Sequence, residues 1–305
     1  MPASPAPAAP SPGLAAGGEP DNDDGSTIRV LAVGDIVGAP GRKALRRILP
    51  GLRRELGADL VVANAENSAG GRGVGIRTAR EMRDAGVDIL TTGNHVWAQP
   101  DIEQALADDD LRLLRPLNFP TELPGRGACT LTVKGHQVTV VSLLGRVFMS
   151  PLDDPFRAMD TFLLLLAPAA GAGEATAGRP LVVVDFHAEA TSEKQAMGWY
   201  LAGRVAAVVG THTHVPTADE RVLPGGTAYV TDLGMVGPRD SIIGSAIEPT
   251  VRRFLTHRPG RVPVADGPIG FNAVLVELDA DHGTCRAVRR VDRYDPSDTA
   301  PRGRR

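Results

Sequence analysis

Residues 27–56 read TIRVLAVGDIVGAPGRKALRRILPGLRREL. The stretch opens on an apolar run rich in β-branched residues, which favours a strand. A glycine-bearing turn, GDIVGAPG, follows. Beyond it Leu45, Ile48, Leu52 and Leu56 recur at helical spacing. Strand, tight turn and amphipathic helix together make one β-turn-α unit. Pro50 falls inside the helical pattern; it lacks an N–H, so a kink or a break is expected there.

The unit repeats downstream. DLVVANA (59–65) is a second buried strand, IRTAREMRDAG (76–86) a helix stopped by glycine, and DILTTG (88–93) a third strand. This rhythm predicts a predominantly parallel sheet covered by helices. The middle differs: ACTLTVKGHQVTVVSLLG (128–145) reads as a hairpin turning at Lys134, Gly135 and His136. PFRAMDTFLLLLAP (155–168) reads as a helix and LVVVDF (181–186) as a strand. SEKQAMGWYLAGR (192–204) is a helix that Ser192 can cap, with Gln195 three residues on. VAAVVG (205–210) and TAYVTDLG (227–234) are further strands, and FNAVLVELD with TCRAVRRVDR suggests a closing antiparallel pair. No repeat or linker interrupts 27–293, which predicts one α/β domain with two sheets.

Composition narrows the function. The 305 residues are 42% hydrophobic, enough for a substantial core. A net charge of −3 and 4% aromatic residues give no footprint for extended nucleic acid or for a membrane surface. No apolar run approaches the roughly 20 residues of a membrane span. The cysteines, Cys129 and Cys285, are too far apart for a CxxC knuckle. Residues 1–26 are Pro-, Ala- and Gly-rich without a basic or apolar signal segment, and read as a disordered leader; 169–180 read as a flexible insert and 294–305 as a loose tail. A cytoplasmic location is the corresponding expectation.

Polar residues gather where strands end. Asp35 follows VLAVG; Asn64, Glu66 and Asn67 follow LVVA; Asn94 and His95 follow ILTTG; Asp185 and His187 follow LVVV; His212 and His214 follow AAVVG. Ligands of α/β sheets bind beyond the carboxyl ends of strands, where loops converge. In an extended His212-Thr213-His214 segment both imidazoles face one side, spaced to bind a metal; alone, the pair also suits an exposed polar loop. Glu66 sits where a carboxylate is buried, and a buried charge needs a partner or a metal. Carboxylates, amides and imidazoles together suit Mn, Fe or Zn better than Ca or Mg. The Gly-rich NSAGGRGVG (67–75) can bring backbone N–H groups and Arg72 to a phosphate, and equally reads as a flexible loop. It lacks the ending of a P-loop.

The order of GDIVG, NAEN, GNH, FHAEATSEK, GTHTHV and TDLGMVGPRDS over about residues 28–292 resembles the calcineurin-like metallophosphoesterases and, more closely, their bacterial YmdB-type branch. The resemblance implies a four-layer α/β/β/α sandwich, with a metallophosphoesterase domain over 27–293. It implies two divalent metal ions, iron or manganese, with zinc compatible. Asp35, Glu66, Asn67 and His214 would hold one ion; Glu66 would bridge to a second, completed by Asn94, His187 and His212. His95 would be the proton donor. The implied activity is hydrolysis of a small phosphodiester such as 2′,3′-cAMP by attack of a metal-bound hydroxide. A metal-loaded regulatory or nucleotide-sensing protein with little turnover, a phosphomonoesterase and a nuclease remain as alternatives; a homo-oligomer is compatible with all of them. Two positions depart from the broader superfamily: Val37 stands where D-x-H has histidine, and NAEN replaces GDxxD.

Overall fold

The computed structural model describes residues 25–166 and 179–296. The leader, the tail and the insert expected at 169–180 fall almost wholly outside them. The first unit runs through β1 (Thr27–Val33), β2 (Asp35–Ile36) and α1 (Gly38–Leu56), and the second through β3 (Leu60–Asn64), α2 (Ile76–Asp84) and β4 (Ile89–Thr91). A short helix, α3 (Ile102–Ala107), leads to the hairpin of β5 (Ala128–Val133) and β6 (His136–Leu144). Then come α4 (Pro155–Leu166), β7 (Leu181–His187), α5 (Thr191–Leu201), β8 (Ala207–Thr211), β9 (Arg221–Leu223), β10 (Thr227–Val230) and β11 (Met235–Pro238). The chain closes with α6 (Ile247–Thr256), β12 (Ile269–Phe271), β13 (Ala273–Asp279), β14 (Thr284–Arg290) and β15 (Arg293–Asp295).

Three sheets form: β14-β13-β1-β3-β4, β5-β6-β7-β8-β10-β9 and the small β15-β12-β11-β2. The first is parallel from β1 through β3 to its edge at β4 and antiparallel on its β13-β14 side; the second is parallel through β6, β7, β8 and β10 and antiparallel at both edges. The expectation of two sheets thus needs a third. Its origin is local: Gly34 breaks the run after β1, and Asp35–Ile36 leave the first sheet to pair in parallel with Met235–Val236. A Cβ on Gly34 would lie 2.1 Å from the Gly234 carbonyl oxygen, so only glycine permits this crossing.

Strand alternation divides the apolar residues among three cores. From β1, Leu31 and Val33 pack with α1 and α2 residues such as Leu45 and Met82. Val30 and Ala32 face the other way, against Val138, Val183 and Val209 of the six-stranded sheet. From β7, Val182 and Val184 pack with Met159 of α4 and Met197 of α5.

Three local expectations change. Helix α1 passes through Pro50 without a break. Pro50 and Arg46, whose carbonyl loses its bond, both lie on the exposed face, where that oxygen is open to solvent. Helix α5 starts at Thr191 with no side-chain cap, so Ser192 is inside its first turn. The hairpin turns on Lys134 and Gly135 alone, both at positive φ (48° and 84°), the backbone of a two-residue turn. No helix among the described residues is long and apolar enough to cross a membrane.

Candidate metal centre

The strand ends of both large sheets and of β2 open onto one cleft of about 490 Å³, lined by Glu66, Asn67, His95, His212 and His214 among others. The structure brings all eight residues singled out by the sequence into one connected cluster. Asp35, Glu66 and His187 are fully buried at its floor.

One half gathers on His187, at the end of β7. Its Nε2 lies 3.1 Å from Glu66 Oε1, 3.1 Å from Asn94 Oδ1 and 2.9 Å from His212 Nδ1. A single ring nitrogen makes one hydrogen bond, not three, and two imidazole nitrogens at this distance share at most one proton. Donor atoms that bind one ion at about 2.0–2.2 Å lie about 3 Å apart, which is the spacing found here. Glu66, His187 and His212 together place one ligand atom each within 4.8 Å of one another. The residues therefore fit a cation.

The other half gathers on Asn67. Its Nδ2 lies 3.0 Å from His214 Nε2, 3.4 Å from Asp35 Oδ1 and 3.5 Å from Glu66 Oε1. Half a turn of the amide presents Oδ1 to the same spot, the orientation a cation requires. Glu66 touches both halves. Its Oε1 is also 3.2 Å from His95 Nδ1, and its Oε2 accepts from the His95 backbone N–H at 3.1 Å. His95 Nδ1 further contacts Asn67 Oδ1 at 2.9 Å.

Partners behind the imidazoles fix which nitrogen faces the cluster. Thr211 Oγ1 donates to Asp185 Oδ1 at 2.6 Å, so it accepts from His187 Nδ1–H at 2.9 Å and leaves Nε2 with its lone pair forward. His214 Nδ1 donates to the Ile243 carbonyl at 2.8 Å, which frees Nε2 in the same way. His212 Nε2 meets the Glu189 carboxylate at 2.9 Å and turns Nδ1 inward. Asp185 accepts in addition from Thr91 and from Asn64, whose Oδ1 in turn holds the Glu66 N–H. In the sequence Asp185 and Asn64 stand at strand ends with no task that spacing assigns, and Thr211 and Thr91 look like ordinary strand residues. Their position one pleat below a candidate ligand was the available signal.

The histidine pair is not extended. His212 and His214 adopt φ of 101° and 64°, left-handed conformations rarely taken by residues with a Cβ. The turn splits the two rings between the halves instead of stacking them on one side. Thr213 between them is pinned: its N–H and hydroxyl both donate to Asp232, which forms a buried ion pair with Lys194 at 2.6 Å. Gly93 permits another close approach, because a Cβ there would lie 2.1 Å from the His187 ring.

The electrostatics follow from burial. Desolvation pushes Glu66 upward, yet His187 and His95 beside it hold its carboxyl well below the usual range. Desolvation likewise opposes ionisation of Asp35, and His214 lowers it. Burial depresses His214, but Asp35 beside Nε2 outweighs it and raises the imidazole to about 9. His212 is lowered by burial and by His187. Imidazolium here serves as counter-charge to buried carboxylates, the place a divalent cation would take.

The glycine-rich loop engages four of its amides locally. The N–H groups of Ser68, Ala69, Gly71 and Arg72 bond to carbonyls of Ala65, Gly73, Asn67 and Ala69, which closes the loop on itself. Gly70, Gly71 and Arg72 of the loop line the cleft. Arg239 stacks on Tyr294, 5.1 Å from the ring centroid, and lines a neighbouring pocket.

A mixed α/β fold with donor residues converged at strand ends defines a metal-binding class of protein. The YmdB-like protein family matches residues 31–291, and the chain belongs to it. It is 42% identical over 264 residues to a Bacillus subtilis protein named 2′,3′-cyclic-nucleotide 2′-phosphodiesterase, a match covering 87% of this chain and 96% of that one. A crystal structure of a hypothetical protein from Thermus thermophilus superposes with a TM-score of 0.79 at 42% identity, covering 88% of this chain and 100% of the other. One of a Mycoplasma pneumoniae phosphatase gives 0.80 at 32% identity, covering 88% and 94%.

Proposed function

We propose that the protein is a phosphodiesterase dependent on a pair of divalent cations, iron or manganese, acting on small cyclic nucleotides such as 2′,3′-cAMP. The observation that carries this reading is the ring of three donor atoms about 3 Å from His187 Nε2. The name of the Bacillus subtilis relative supports the substrate class. The three apolar cores are read as the interfaces of a four-layer α/β/β/α sandwich, with the site at one end of the two inner sheets.

Asp35, Glu66, Asn67 and His214 would hold one cation; Glu66, Asn94, His187 and His212 would hold the other. Bound there, the cations supply Lewis-acid charge to the phosphate and lower the pKa of water towards 7. The remaining tasks fall to side chains. Thr211, Ile243 and Glu189 keep three imidazoles turned with a free lone pair inward. Arg72 and Arg253 bring positive charge to the walls of the cleft. His95, held by its backbone N–H on Glu66 Oε2, reaches the cleft with Nε2 unengaged by any described residue and donates the proton to the leaving alkoxide.

The test is His95→Ala in the metal-reconstituted protein. Removing general acid assistance is expected to slow 2′,3′-cAMP hydrolysis by about 10²–10⁴-fold while the metal content stays at the wild-type level. A chromogenic diester, whose leaving group needs little protonation, should lose much less. Equal rates of wild type and variant on the nucleotide contradict the assignment. Absence of turnover by the metal-loaded wild type on either substrate contradicts the enzyme reading and favours a regulatory one.

A further inference from the structure

Helix α6 and the segment after it carry a cluster of arginines of which the site described so far uses only Arg253. Arg252, Arg253, Arg258 and Arg261 line one pocket of about 300 Å³ with Thr256 and Val262. Helix α6 ends at Thr256, His257 after it adopts φ 53°, and the segment that follows brings Arg258 and Arg261 to the same pocket as Arg252 and Arg253. All four arginines are exposed, and no described residue gives any of them a side-chain hydrogen bond or an ion pair. Glu248, one turn before Arg252, is not paired with it.

Other arginines of the fold are paired with carboxylates, as Arg42 is with Glu81, Arg53 with Asp88, Arg29 with Glu277 and Arg290 with Asp292, whereas here four without such a partner share one pocket. Four guanidinium groups around one concavity repel one another, and a counter-anion relieves that repulsion. The pocket also joins the candidate metal centre, since Arg253 and Val262 line both cavities. Arg72 stands on the cleft wall as well.

We infer that this pocket is a second phosphate subsite, and that the preferred substrate carries a further phosphate beyond the one held at the metal centre. The inference rests on the phosphodiesterase reading and specifies its substrate. Guanidinium forks bind phosphate oxygens bidentately, and several around one pocket suit a dianion or a backbone phosphate. The second phosphate has two sources of the same chemistry: the 5′-phosphate of the cyclic nucleotide itself, or the internucleotide phosphate of a short RNA ending in a 2′,3′-cyclic phosphate. The overall charge of −3 gives no hint of it, because a local cluster is averaged away.

The test uses the metal-loaded full chain with three ligands: adenosine 2′,3′-cyclic phosphate, the same nucleotide with a 5′-phosphate, and a trinucleotide ending in a 2′,3′-cyclic phosphate. Binding is read by competition at a temperature where turnover is slow, and hydrolysis is read separately. A phosphate-bearing ligand should bind at least about tenfold tighter than the first, and the slope of log affinity against log salt should steepen by about 0.7 for each phosphate contact. Arg258→Ala/Arg261→Ala should abolish the gain and the extra slope, and Arg258→Lys/Arg261→Lys should restore part of both. A gain with the 5′-phosphate alone assigns the pocket to a mononucleotide; a gain only with the trinucleotide assigns it to an RNA end. Equal affinity for all three ligands, or a gain that survives in the double alanine variant, overturns the subsite. Absence of hydrolysis with the binding gain intact counts against the phosphodiesterase reading and leaves the subsite standing.

Discussion

Thr211 shows how much of the site is decided by residues that never touch a substrate. Its hydroxyl stands between Asp185 and His187 and can donate to only one of them. Burial pushes the Asp185 carboxyl above its ordinary range, against the opposing pull of His187 and the two threonine hydroxyls. Thr211→Val keeps the shape but removes the proton acceptor for His187 Nδ1. Partners of this kind typically tune metal affinity by about 10–100-fold, so the variant should bind manganese weaker by that factor at an unchanged fold. Calorimetric titration checks it; wild-type affinity would mean that the His187 tautomer is set elsewhere.

At the scale of elements, the decisive feature is the turn after β8. The sequence displays His212 and His214 openly, and strand alternation alone would put both rings on one side. The structure separates them through two left-handed residues held by Asp232 and Lys194, and no spacing rule announces a left-handed histidine. Lys194→Met should leave the Asp232 carboxylate buried without its cation, which costs about 3–5 kcal/mol. Denaturant unfolding of the metal-free protein reads that loss; a change below about 1 kcal/mol would show the ion pair to be incidental.

The same contrast governs what was legible elsewhere. The apolar periodicities of β1, α1, β3, α2 and β7 fix their type because burial on one face or both enforces the pattern. The two-residue β2 is too short to carry any period, and it founds the third sheet. Composition does not reveal that four amides of NSAGGRGVG, those of Ser68, Ala69, Gly71 and Arg72, are engaged locally. Helix α6 carries Ile247, Val251, Phe254 and Leu255 at helical spacing, yet none of its residues is buried.

At the scale of the whole molecule, charge and metal are linked through pH. His214 has an ordinary value of 6.5 and is raised to about 9 beside Asp35 in the metal-free fold. A raised imidazole stabilises the fold fully below 6.5, and that contribution is lost as pH climbs through about 9. The metal-free protein should therefore lose melting temperature over this window. A cation competes with the same proton, so its affinity should rise across the window instead. Thermal melts with and without manganese should diverge as pH increases; parallel curves would dissociate His214 from the metal.

In the proposed dinuclear centre Glu66 belongs to both halves. Elemental analysis of metal-reconstituted wild type and Glu66→Gln, each shown to be folded, tests it directly. A pair of ions per wild-type chain, with both weakened or lost in the variant, is the predicted result. A single ion in the wild type, or a full pair retained by Glu66→Gln, would contradict it.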